Sequence, residues 1–164
     1  MNELDKIKDI HKMLSEFKFG AYLGNGCYGY DDDEQLVSDY SMQSPRQVLE
    51  SGQGTCIDIA LCVKYLLDKE GIRNFAVFCI ADDGSDFPPN HCFNVVVIDD
   101  EPYLVDASEG IKVKKYNSIE DIEKFYRKRH FELKKAIFYK MDSFPPSGSS
   151  FWNFVDYAGG CEKI

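Results

Sequence analysis

The chain predicts an α+β domain, and three observations carry that expectation. Residues 56–70 form a run that is apolar on most helical faces, as a helix buried in the middle of a domain must be. From residue 74 to 106 the pattern changes to three short runs rich in β-branched and aromatic residues, separated by turn residues. Before both, residues 2–18 carry an amphipathic helical stripe. The 164 residues make one domain, 1–164, with a core at roughly 45–140 and enough apolar sequence to bury it. The 44% hydrophobic and 14% aromatic content argues against disorder.

The elements follow in order. Leu4, Ile7, Ile10, Leu14 and Phe17 recur at helical spacing among charges, and His11 beside them has no partner motif, so it is read as structural or solvated. Residues 20–33 hold four glycines and three tyrosines and lead into the acidic run Asp31-Asp32-Asp33-Glu34. Gly24-Asn25-Gly26-Cys27-Tyr28-Gly29 superficially resembles a phosphate loop, yet no strand precedes it and no Lys-Ser/Thr follows. An irregular connection is expected there, a mobile loop over a cleft being the other reading. Ser44 caps a short helix with Pro45 at its first position and Gly52 at its end.

The long helix then runs to Glu70 and stops at Gly71. Residues 74–81 read as a buried strand, 82–90 as a loop, 91–98 as a second strand, Asp99-Asp100 as a two-residue turn and 101–106 as a third strand. Ser118 caps a helix carrying Ile119, Ile122, Phe125 and Tyr126 on one face, and His130 beside Arg127-Lys128-Arg129 reads as solvated surface. Residues 135–140 suggest a further strand, and the Gly/Ser/aromatic tail 145–164 has no assignable pattern.

Composition restricts the partners. A net charge of -9 disfavours a nucleic-acid backbone or an anionic membrane. The first residues lack a basic and then apolar leader pattern, and no apolar run reaches about 18 residues, so neither secretion nor a membrane span is expected. Six cysteines in such a chain fit a reducing, cytoplasmic setting. None forms Cys-x-x-Cys and the acidic run lacks the EF-hand pattern, so no metal and no cofactor is expected.

Chemistry concentrates on Cys56. Thr55 caps the long helix and Asp58 three residues later completes an approximate capping box, placing Cys56 in the first turn. Unpaired N–H groups and the helix dipole there favour an anion, and the thiolate is the nucleophilic form of cysteine. A second pairing comes from the hairpin. With Asp99-Asp100 as the turn, Ile98 faces Glu101 and Asp106 faces Phe93, so His91, Phe93, Asp106 and Ser108 share one face of the sheet. His91 and Asp106 are then diagonal neighbours, close enough for a carboxylate to orient an imidazole whose other nitrogen accepts a thiol proton.

These residues resemble a known family. Gly54-Thr55-Cys56-Ile57-Asp58-Ile59-Ala60, with Leu66-Leu67-Asp68-Lys69-Glu70-Gly71-Ile72, is similar to the nucleophile helix of the transglutaminase-like superfamily. His91-Cys92-Phe93-Asn94-Val95-Val96-Val97 resembles its His strand, and Tyr103-Leu104-Val105-Asp106-Ala107-Ser108 its aspartate strand. The resemblance implies a papain-like fold in which the helix bearing Cys56 packs on an antiparallel sheet bearing His91 and Asp106. It implies Cys56 as nucleophile, His91 as general base and acid, and Asp106 as orienter, in acyl transfer at a peptide or protein amide.

The chain departs from the family pattern at Cys92, Phe93 and the residue after Asp106, and its single tryptophan, Trp152, follows the motifs rather than preceding Cys56. The Cys56 N–H, with Gln53 as a helper, is the expected oxyanion donor. A thiol peptidase or amidase is the leading expectation. Transfer to an amine, as in transglutaminases or arylamine N-acetyltransferases, and a catalytically silent peptide-binding or scaffold domain are the alternatives.

Overall fold

A computed structural model describes residues 1–29, 33–132 and 135–164, with the side chains of Asp33 and Glu34 also outside the description. Most of the acidic run at 31–34 therefore lies outside the described residues. The helices are α1 (Glu3–Ser15), α2 (Asp33–Asp39), α3 (Pro45–Ser51), α4 (Cys56–Lys69), α5 (Ile119–His130) and α6 (Phe151–Gly159). The strands are β1 (Lys18–Phe19), β2 (Gln53–Gly54), β3 (Asn74–Ala81), β4 (Asn90–Ile98), β5 (Glu101–Asp106), β6 (Ile111–Lys115), β7 (Ala136–Met141) and β8 (Glu162–Lys163). No described helix is long and apolar enough to cross a membrane.

Six strands form one antiparallel sheet in the order β6-β5-β4-β3-β7-β8. Side-chain alternation gives this sheet two different faces. Phe75, Val77 and Cys79 of β3 and Phe93 and Val95 of β4 pack against Ile122 and Tyr126 of α5. The intervening Ala76, Phe78 and Ile80 pack with Ile57, Ala60 and Leu61 of α4 and Phe154 of α6. Helices α1 and α3 enclose the far side of α4, where Ile7, Leu14 and Val48 meet Ile59, Cys62 and Val63. That layering explains why α4 is apolar nearly all round: it is covered by helices on one side and by the sheet on the other.

The expected hairpin is present in the expected register, with Ile98 paired to Glu101 and Asn94 to Val105. Asp99 and Asp100 have φ of 51° and 61°, the left-handed pair a two-residue hairpin turn requires. Residues 24–27 also turn back on themselves, Cys27 N–H donating to the Gly24 carbonyl and Tyr22 bridging to Tyr28. The glycine-rich stretch is thus a small reverse turn. The tail without a sequence pattern contributes α6 and β8, capped by the Ser150 hydroxyl. Strand β6 at the sheet edge, with the sequence Ile-Lys-Val-Lys-Lys, and helix α2 are further elements that the sequence pattern does not predict.

Candidate active site

The start of α4 is fixed by a buried polar cluster. Thr55 accepts from the Asp58 N–H, while Asp58 Oδ2 accepts from the Thr55 N–H at 3.0 Å and from its hydroxyl at 3.1 Å. Asp58 Oδ1 accepts from Tyr40 Oη at 2.7 Å and from the Gln43 N–H at 3.0 Å. Burial pushes the Asp58 carboxyl up, and the Thr55, Tyr40 and Gln43 bonds pull it back. Gly54 is required beside it, since a Cβ there would lie 2.8 Å from Asp58 Cβ. Cys56 is therefore held at the first position of a helix whose start is locked by the Thr55–Asp58 capping box, and it is half-buried.

His91 comes from the opposite element. It is the second residue of β4, on the face shared with Phe93, and is 4% exposed. Its Nε2 lies 2.7 Å from Asp106 Oδ2. Asp106, 1% exposed at the end of β5, also accepts from Tyr126 Oη on Oδ2 and from Ser108 Oγ and the Glu109 N–H on Oδ1, both at 3.2 Å. Although burial raises it, the hydrogen bond and charge of His91, then Tyr126 and Glu109, hold the Asp106 carboxyl below its ordinary value. Burial lowers the His91 imidazole, but the Asp106 hydrogen bond, then the neighbouring Cys56 sulfur and the charge of Asp106, raise it to about 10. Cys56 and His91 line one cavity of about 450 Å³, and Asp106 sits behind His91.

Gln53 is not among the described lining residues of that cavity. It lies on β2, which runs parallel to β1, and its carboxamide packs against Gly20, with Oε1 2.6 Å from where a Gly20 Cβ would stand. The same parallel pair brings Phe19 to the cavity. Phe87 of the 82–90 loop and Phe151 of α6 supply further apolar wall, their ring centroids 5.5 Å apart.

Two residues of α5 complete the site, and one corrects an expectation. His130 is not a solvated surface group: its side chain is 25% exposed and stacks on His91, ring centroids 4.7 Å apart and planes 19° from parallel. Its Nε2 lies 2.6 Å from Glu109 Oε1, at an angle that makes no hydrogen bond. Burial and the neighbouring His91 lower the His130 imidazole, more than Glu109 raises it. The basic run hid this placement. The signal that reveals it is the spacing Ile122, Tyr126, His130, which puts the histidine on the buried stripe of α5. Tyr126, which its spacing marks as a packing residue, also turns its hydroxyl onto Asp106 Oδ2.

The other thiols are differently placed. Cys62, Cys79 and Cys92 are buried, and burial pushes all three up, Cys62 to about 12. All six cysteines are free.

No protein-family model and no curated protein sequence matches the chain. Solved structures do. Calcium-bound LapG of Legionella pneumophila is similar with a TM-score of 0.51 and 14% identity, over 96% of this chain and 79% of that one. A second LapG structure from the same organism gives 0.48 and 17% identity over 70% of this chain, which spans 57% of that protein's chain. A Cytophaga hutchinsonii protein, provisionally named a cysteine protease, gives 0.40 and 13% over 89% of this chain and 47% of its own. At such identities the likeness is one of fold. The chain has the papain-like arrangement of helices on an antiparallel sheet that LapG has.

Proposed function

We propose that the chain is a thiol-dependent amide hydrolase of the transglutaminase-like type, with Cys56 as nucleophile, His91 as general base and acid, and Asp106 as its orienter. The observation that carries this reading is the His91 ring, bonded through Nε2 to a buried carboxylate and charge-coupled to the one half-buried thiol at a helix start in the same cavity. With Nε2 engaged, Nδ1 is left to exchange the proton with sulfur.

In the proposed reaction the Cys56 thiolate adds to the amide carbonyl carbon, and the electron pair of the C=O bond moves onto oxygen. The Cys56 N–H, at a helix position with no intrahelical acceptor, receives that oxyanion. Collapse of the adduct breaks the C–N bond as His91 delivers its proton to the leaving amine, leaving a thioester. Water then attacks the thioester, gives its proton to His91, and releases the acid and the thiolate. Gln53 takes no part in this scheme.

The test is a peptide-library digestion with wild type and Cys56→Ser. Cleavage is expected from wild type and at least a thousandfold less from the variant. Iodoacetamide near neutral pH should alkylate Cys56 faster than exposed Cys27, and His91→Ala should erase that advantage. Equal labelling of Cys56 and Cys27 in wild type, with no peptide cut, would overturn the assignment in favour of a silent binding domain. Appearance of a new amide when an amine is added would move the reading from hydrolysis to transfer.

A further inference from the structure

The His91 and His130 rings stack at the wall of one cavity with their centroids 4.7 Å apart. His91 Nε2 is hydrogen-bonded to Asp106 at 2.7 Å, and His130 Nε2 has Glu109 Oε1 beside it at 2.6 Å without a hydrogen bond. The backbone N–H of Glu109 donates to Asp106 Oδ1, which fixes the turn that carries the second carboxylate. Glu109 in turn is fixed by Arg129 Nε at 2.8 Å. One donor atom each from His91, Glu109 and His130 lies within 4.8 Å of the others, the spacing of a loose metal cluster. Stacked rings direct their nitrogen lone pairs side by side rather than toward one point, so the geometry is that of a ring pair and not of a chelate.

Resting on the thiol-hydrolase reading above, we propose that His130 is a positioning residue for His91. As a neutral ring it seats the His91 imidazolium in the plane that serves Cys56, and on gaining a proton it unseats it. A neutral aromatic face stabilises a cation laid on it, whereas two cations stacked 4.7 Å apart repel. The groups facing His130 fix its response. From β4 it meets His91, and from the end of β5 and the following turn Asp106 and Glu109. From its own helix it meets Tyr126 and Arg129. His91 and Arg129 oppose a charge on His130 and the two carboxylates favour one. At neutral pH the ring stays uncharged, and acid tips the balance. The site would then lose activity on the acid side because the second histidine protonates, with Cys56 and Asp106 still in place.

Two variants separate the stack from the proton. His130→Phe keeps a ring against His91 but removes the titration, and His130→Ala removes both. The alkylation rate of Cys56 by iodoacetamide, which needs no substrate, should fall in wild type as pH drops through the titration of His130. In His130→Phe it should hold to a pH lower by about one unit, a tenfold change in proton concentration. His130→Ala should be slower at every pH, the phenylalanine variant restoring the rate. The ring titration of His130, followed by NMR, should shift upward by about a unit in His91→Gln.

Superimposable acid limbs in wild type and His130→Phe would overturn the proposal, and so would a His130 titration indifferent to His91→Gln. These outcomes are distinct from failure of the thiol-hydrolase reading. If Cys56 labels no faster than Cys27, the NMR shift still decides whether the stacked rings are coupled. Zinc protecting Cys56 from alkylation in wild type but not in His130→Phe would replace the ring pair with a metal site and also overturn the proposal.

Discussion

Asp106 is almost wholly buried and receives hydrogen bonds from an imidazole, a phenol, a hydroxyl and a backbone N–H. A carboxylate in that position is held in one orientation, and so is the His91 ring it serves. Removing the phenol tests this. Tyr126→Phe keeps the ring that stacks on Phe93 at 4.1 Å but deletes the donor to Oδ2. Loss of a charged hydrogen bond inside the fold should cost about 1.5–3 kcal/mol in urea unfolding, with a fall in kcat rather than a rise in KM. An unchanged kcat would show that Asp106 is held by its other partners alone. A second expectation concerns pH. His91 keeps its proton to about 10 in the fold against 6.5 when free. Its contribution to stability is therefore complete below about 6.5 and is lost as pH rises through about 10. Wild type should lose more urea resistance than His91→Gln on going from about pH 7 to pH 10. At this scale the sequence revealed the residues whose partners are local or lie across a tight hairpin. Parity along 91–106 brought His91 to Asp106, but nothing local ties Tyr126 or His130 to a carboxylate about twenty positions earlier.

Helix α4 is the element that positions the sulfur, and its two ends are secured differently. The N-terminal turn depends on Asp58, whose oxygens accept from Thr55, Tyr40 and the Gln43 backbone with no exposure to water. Further along, Asn94 on β4 donates to the Ala60 carbonyl at 2.9 Å, tying the helix of Cys56 to the strand of His91. The Thr55–Asp58 half of the first cluster is legible as a capping pattern because its partners are three residues apart. Tyr40 and Gln43 are not, since they arrive from a segment with no periodic signal. Asp58→Asn keeps the shape but sets an NH₂ group against donors, leaving buried polar groups unpaired. The expected loss is about 1–3 kcal/mol, the cost of leaving buried polar groups unpaired, against about 1 kcal/mol for Thr55→Ala. Because the helix start moves with Asp58, Cys56 alkylation should slow in Asp58→Asn even where the protein remains folded by circular dichroism. A folded variant that labels at the wild-type rate would detach the cluster from the placement of sulfur.

At the scale of the whole molecule, the last fourteen residues decide whether the sheet has both faces covered. Helix α5 covers one face, and α4 covers only part of the other. The remainder falls to α6, which sets Phe154 against Phe78 with ring centroids 4.9 Å apart and buries Phe151 and Ala158 beside Tyr40 and Met141. Strand β8 then pairs with β7 and closes that edge of the sheet. The aromatic, glycine-rich tail carried no readable pattern because α6 spans only nine residues, too few for periodicity to separate it from an apolar loop. Its burial nevertheless makes it part of the core. Phe154→Ala removes a side chain with no exposed surface and should cost about 3–5 kcal/mol. In a domain whose total stability is about 5–15 kcal/mol, that lowers the melting temperature by roughly 10 °C without preventing folding. Deleting residues 151–164 uncovers Phe78, Ile80 and Met141 together and exceeds what the remaining contacts can hold. The truncated chain should lose its cooperative thermal transition and be cut rapidly in limited proteolysis, and with it should go any preferential alkylation of Cys56. Phe151→Ala offers the finer separation, since Phe151 both packs in this core and lines the cavity. It should raise KM more than it lowers kcat if the apolar wall meets substrate, and leave KM alone if the wall is only core. A truncated protein that melts cooperatively at the wild-type temperature would show that the sheet needs no second cover, and α6 would then be an appendage to the fold.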